Sequence, residues 1–312
     1  MKAAENGPTP KDRTKMKKAL IAKIQITIIA LAILSVTAVN AQNTKRVFNF
    51  KTGDKYLRQT SVISSSILQR GDVKINIGSS STIAKSYQVT NVDTAEFAFN
   101  IATRKVTDTV ELGDKQLAFN SARKLDTAEK MANMLQNLLG KPSEINVDKN
   151  GMIASLKTAP RTADDTVLDF AGIHPEEYTP GTKFGLLTSI KVDGAVKSNY
   201  SWTDTAELTG GGSVITKFSV AGHTSSSTII KFASIGKQQS ENSNSTGEYV
   251  IDNETGIIKQ RVIQTVSTGY TIYKNKVFAA TRRTALSESC YKVNALKDAY
   301  LQVPPIIKVV VK

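Results

Sequence analysis

"VKINIGSSSTIAKSYQV" occupies residues 73–89. Val73, Ile75 and Ile77 fall on one side of an extended chain, and Lys74 and Asn76 on the other. That period of two is the signature of a half-buried β-strand. The tripeptide "RGD" (70–72) supplies the turn before it, because Gly and Asp suit exposed turns. Gly78 and the three serines after it are expected to end the strand. The same period runs outward in both directions. "KYLRQTSVISSSILQ" (55–69) sets Tyr56, Arg58 and Thr60 against Leu57, Gln59 and Ser61. "AEFAFNIATRKV" (95–106) puts Phe97, Phe99 and Ile101 on one face, and "VELGDKQLAFN" (110–120) turns at its Gly-Asp pair. Residues 46–120 therefore read as consecutive antiparallel strands.

One segment breaks the period. "LDTAEKMANMLQNLLGKP" (125–142) carries Ala128, Met131, Leu135, Leu138 and Leu139 at helical spacing. Asp126 and Glu129 have the spacing of a capping box, and Gly140 with Pro142 supplies the stop. A helix at about 126–139 is expected, its apolar stripe packed on the sheet.

The chain then repeats itself. "INVDKNGMI" (145–153) and "YVIDNETGII" (249–258) share an apolar entry, an Asp/Asn/Gly turn and an apolar exit. "TGDKY" (52–56) faces "PGTKF" (180–184), and "KSYQV" (85–89) faces "TKFSV" (216–220). An internal duplication follows as an expectation, its second half lacking the helix and carrying the polar loop "GKQQSENSNSTGE" (236–248) instead. A later strand at Val262–Ser267 is expected to turn at Thr268–Gly269. The proline-containing, acidic stretch 159–181 reads as a linker. The expected fold is mainly β, with two tandem curved antiparallel sheets, each half-barrel-like. The expected organisation is 1–41 as N-terminal extension and signal peptide, 42–158 as the first repeat with its helix, and 182–312 as the second. The β-branched tail "VPPIIKVVVK" (303–312) is expected to pair onto the sheet or to serve as a partner-binding strand.

Export is written at the front. Lys17, Lys18 and Lys23 precede an apolar run from Ile24 to Val39, and "VNA" (39–41) has the small residues of a cleavage site. The run is short for a bilayer span, so no integral span is expected after cleavage at Ala41. Residues 1–15 read as an extension ahead of the true start. No Cys lies near the cleavage point, which removes lipid anchoring through cysteine. A periplasmic or extracellular destination follows, where chemistry driven by ATP or NAD is not expected. The formal charge is +14; without residues 1–41 the balance is 34 basic to 25 acidic side chains. The lysines are dispersed, so the surplus describes a soluble surface, and a nucleic-acid partner is not expected.

Reactive constellations are scarce. Cys290 is alone, which excludes an internal disulfide and cysteine-based metal sites. His174 and His223 have no second ligand at useful spacing. Position 12 after Asp148 is Ala159, and after Asp252 it is Ile263, so neither turn completes a calcium loop. No G-x-S-x-G is present, and "TGGGS" (209–213) lacks the lysine and helix of a phosphate loop. No catalytic residue, metal site or cofactor is expected.

With its signal peptide, "TGDKY", the helix end "LLGKP" and the hairpin "VDKNG", the chain resembles a family of uncharacterised exported bacterial proteins built on a domain of unknown function. The resemblance covers most of residues 45–295 and implies no activity. By architecture alone, a curved sheet with a covering helix is similar to the periplasmic lipoprotein-carrier half-barrels. The leading expectation is a non-catalytic exported protein that binds an apolar or lipid-like ligand or an envelope protein. The candidate lining is Phe97, Phe99, Met131 and Leu135, residues that a closed dry core would use equally. The alternatives are a structural or adhesive envelope component acting through strand edges, and a hydrolase whose site is not recognisable in sequence.

Overall fold

The computed structural model describes residues 48–122, 136, 139, 142–157, 178–188, 200–208, 211–238, 241–273 and 275–293. The signal segment, Met131 and Leu135 of the expected helix, most of the linker, and the tail lie outside these residues.

The described residues form twelve strands: β1 (Lys55–Arg70), β2 (Val73–Val92), β3 (Glu96–Leu112), β4 (Lys115–Asn120), β5 (Ser143–Asp148), β6 (Ile153–Leu156), β7 (Ser201–Glu207), β8 (Ser213–His223), β9 (Ser227–Lys237), β10 (Glu241–Asp252), β11 (Ile258–Tyr273) and β12 (Lys276–Lys292). They form one antiparallel sheet in the order β6-β5-β3-β2-β1-β12-β11-β10-β9-β8-β7, with β4 also on β3. β3 is long enough for two partners: its first half pairs β5 and its second half pairs β4.

The expectation of two sheets is corrected to one. Two meanders are present, but the last strand returns beside the first. β1 and β12 pair from Tyr56↔Lys292 to Gln69↔Ala279 and fuse the meanders along a central seam. Strand periodicity reports which faces are apolar; it carries no information on pairing between strands some 220 residues apart.

Three local expectations change for a related reason. β2 does not stop at Gly78 but continues to Val92. The polar stretch after Phe232 is not a loop: β9 runs to Lys237 and β10 begins at Glu241. β11 passes Thr268–Gly269 and ends at Tyr273. In each case serine, threonine, asparagine or glycine occupies a strand where apolar residues were the only signal sought. The Gly-Asp and Asp/Asn/Gly turns are as expected. Asp148 Oδ1 accepts the Asn150 and Met152 amides, and Gly151 has φ 79°. Asp252 Oδ1 likewise accepts the Glu254 and Thr255 amides, and Gly256 has φ 74°.

The segment 181–188 bends the sheet. Ile153, at the start of β6, donates its amide to Thr182 O, and Ile258, at the start of β11, donates to Leu186 O. Thr182 and Leu186 are four residues apart, at most ~14 Å of chain. Along the sheet, β6 and β11 are separated by six strand spacings, roughly 29 Å. The chord is far shorter than the arc, so the sheet curls into a trough, and this strap crosses its base.

Apolar residues fill that base. Phe48, Phe50, Tyr56, Tyr87, Phe97, Phe99, Ile145, Phe184, Leu186 and Ile257 belong to one buried cluster. Phe50 meets Phe97 and Phe99 edge-on at 5.1 and 5.3 Å, and Phe184 lies 5.0 Å from Phe99. A second cluster (Val62, Phe218, Ile230, Phe232, Tyr249, Ile251, Ile258, Ile263, Leu286) lies on the same face towards β7.

Candidate ligand-binding face

In a strand, alternate side chains share a face, and directly paired residues extend that face across the sheet. Following the pairs from β7 to β4 gives a continuous inward row: Trp202, Phe218, Phe232, Gly247, Ile263, Leu286, Val62, Ser81, Asp108, Phe119. From β7 to β1 every member is apolar or glycine. Phe218 stacks on Trp202 at 5.1 Å, and Phe232 on Tyr249 at 5.2 Å. Gly247 makes this possible, since a Cβ there would fall 2.5 Å from the Phe232 ring. The opposite face presents Lys217, Lys231 and Gln264 to water.

One step further from the base, seven successive strands contribute a hydroxyl: Thr216, Ser234, Ser245, Thr265, Thr284, Ser64 and Ser79. Ser245 and Thr265 lie 2.8 Å apart, and Arg282 Nε donates to Ser64 Oγ at 2.9 Å. The inward face is thus apolar along one row and hydroxyl-bearing along the next.

Nearer the base, charge crosses the seam. Arg261 Nη2 donates to Glu288 Oε1 at 2.7 Å, and Thr60 Oγ1 donates to Oε2 at 3.1 Å. Arg58 approaches Glu288 at 3.9 Å and lies 5.0 Å above the Tyr87 ring. Arg58 and Glu288 are buried. Burial opposes the Arg261 cation, but the Glu288 charge holds its pKa above the ordinary value. Burial also pushes the Tyr249 phenol up. This cluster orders β1, β12 and β11; isolated ions at such depth would be strongly disfavoured. At the mouth of β1, burial works against the Asp54 anion. Lys292 at 2.6 Å, the Lys51 amide and the Tyr56 hydroxyl nonetheless hold its carboxyl below the usual range.

Asp108 differs from both. It stands between Val106 and Val110 on the inward face of β3, 2 % exposed. Neither carboxylate oxygen has a hydrogen-bond partner among the described residues. Burial dominates and pushes the carboxyl up to about 7. The neighbouring Thr109 amide works the other way and favours the anion.

Of the sequence candidates, the structure brings Phe97 and Phe99 together in the base, with the Lys149 ammonium 3.5 Å above the Phe97 ring. Arg58, Arg261, Glu288 and Asp108 were not singled out by sequence. The available signal was a charged residue at an apolar phase, as in Val106–Asp108–Val110. His223 Nδ1 meets Thr228 Oγ1 at 2.9 Å, and Thr228 donates to Asn253 at 2.7 Å, a chain that ties a turn to β9. Among the described residues, no group of three or more His, Cys, Asp or Glu could hold a metal ion.

No family model and no curated protein matches the chain. Solved structures with some likeness include one titled for lipid–protein interactions in lipovitellin, at 14 % identity and a TM-score of 0.46. That match covers 80 % of this chain and 26 % of the lipovitellin chain, so this chain spans about a quarter of that protein's length. An outer-membrane channel from Pseudomonas putida F1 follows at 6 % identity and TM-score 0.24, covering 80 % of this chain and all of the channel. OpdQ from Pseudomonas aeruginosa shows 6 % and 0.19, covering 78 % of this chain and all of its own. Likenesses at these scores do not say what this chain binds. Among the described residues no helix is long and apolar enough to cross a membrane.

Proposed function

We propose that this is an exported, non-catalytic carrier that holds an apolar or lipid-like ligand against the inward face of its curved sheet. The observation that supports it is the apolar row from Trp202 to Val62, interrupted only by Gly247, which crosses seven neighbouring strands of a sheet that does not close. An apolar ligand completes such a face, as in other concave sites with few polar groups. In this account Phe97 and Phe99 form the floor, and Met131 and Leu135 complete the lining. The two β-rich repeats, 42–158 and 182–312, are products of an internal duplication joined through 159–181.

The test is titration of the purified chain with 1-N-phenylnaphthylamine, a dye that brightens in apolar surroundings. Saturable uptake, reversed by a long-chain lipid and weakened by Phe232→Ser, is the expected result. A folded chain without saturable uptake would refute the proposal.

A second account is favoured by the outer edge of β7, which has no partner strand among the described residues. An envelope protein could add a strand there or pair with the tail. Deleting 303–312 would then abolish partner capture while leaving the fold intact.

A further inference from the structure

We propose that Asp108, with Ser81 beside it, is the head-group site of this face and takes the ammonium group of a long-chain amine. The proposal rests on the apolar-ligand function above and names the ligand's polar end. A carboxylate removed from water and offered no donor must be neutralised by a proton or by a cation. Asp108 is in that position: it is buried, and neither oxygen has a partner. Its cross-strand neighbours are Ser81 in β2 and Phe119 in β4, both buried, and along its own strand Val106 and Val110 are also buried.

No cation of the adjoining strands stands within reach on this face. Lys85 is four residues along β2 from Ser81, and Lys115 is four residues along β4 from Phe119, each roughly 13 Å away. Arg282, on β12 three strands from β3, is directed to Ser64. Among the described residues, the adjoining strands therefore leave the acid to a proton or to a cation that they do not supply.

The surroundings select what kind. The row in which Asp108 stands leads through Ser81 to Val62, Leu286, Ile263, Gly247 and Phe232, apolar or glycine across five strands. A bare metal ion would find a single carboxylate and one hydroxyl, too few hard ligands to replace its water. An ammonium group needs only an acceptor carboxylate and one or two oxygens, and its alkyl chain matches the row beside it. A fatty acid would place a second anion against Asp108, and a neutral alcohol would leave it uncompensated.

The experiment displaces bound 1-N-phenylnaphthylamine from the full chain with dodecylamine, dodecanol and dodecanoate. At about pH 8 the amine should displace the dye at about ten- to a hundredfold lower concentration than the alcohol, the range of a buried charge-assisted hydrogen bond. At about pH 5, where Asp108 holds its own proton, that preference should disappear. In Asp108→Asn the amine and the alcohol should displace the dye at the same concentration as each other. Equal displacement by amine and alcohol in the native chain, or a preference that survives Asp108→Asn, would overturn the head-group assignment while dye uptake still supported the carrier. Failure of the folded chain to take up dye would sink the carrier itself, and the assignment with it.

Discussion

Replacing Asp108 with asparagine should make the ligand-free protein more stable in alkaline solution and change little in acid. The folded carboxyl titrates at about 7 against an ordinary value of 3.8, because burial disfavours the anion. Between these two pH values the folded chain keeps a proton that the unfolded chain has released. Stability therefore falls as pH rises through that interval and levels off above about 7. Three pKa units correspond to about 4 kcal/mol when the interval has been crossed. Asparagine has nearly the same shape and cannot ionise, so the loss vanishes in the variant. Thermal unfolding followed by circular dichroism reads the difference, at roughly 2–4 °C per kcal/mol for a protein of this size. The melting temperature of the variant minus that of the native chain should be near zero at about pH 4 and grow to a plateau by about pH 8. A difference that is flat with pH would show that Asp108 is hydrated or partnered in solution and would refute the reasoning.

Three further substitutions test the framework. Glu288→Ala removes the carboxylate that Arg58 and Arg261 share and should cost about 3–5 kcal/mol in urea unfolding. Glu288→Gln, which keeps an acceptor, should cost less. Gly247→Ala drives a methyl into the Phe232 ring and the Val262 carbonyl, so a loss of about 1–3 kcal/mol is expected, with altered near-ultraviolet dichroism from the aromatic stack. Phe184→Ala empties the centre of the strap and should cost about 3–5 kcal/mol, measured by the same unfolding curves.

The faces of β1 and of the start of β2 were legible because Tyr56, Val73, Ile75 and Ile77 announce a period of two. The strand through Ser79–Ser81 was not, although Ser81 is buried. A small hydroxyl packs well on an inward face without contributing to any hydrophobic pattern. β10 was hidden in the same way, since Ser243 and Ser245 point inward while Asn242, Asn244 and Thr246 meet water. The seam was beyond sequence for a different reason: nothing in β1 names β12 as its neighbour. Phase placed Phe97 and Phe99 on one face, and both are buried, while the charged members of the face were passed over. Glu288, between Leu286 and Cys290, and Asp108, between two valines, each interrupt an apolar phase, and that signal was not used.

Native mass spectrometry of the protein purified intact from cells puts the proposed carrier role to its most direct test. The account predicts a bound apolar species of defined mass that is released by organic extraction and depleted by Phe232→Ser. A bare polypeptide mass from a folded sample, unchanged by incubation with lipid vesicles, would contradict it.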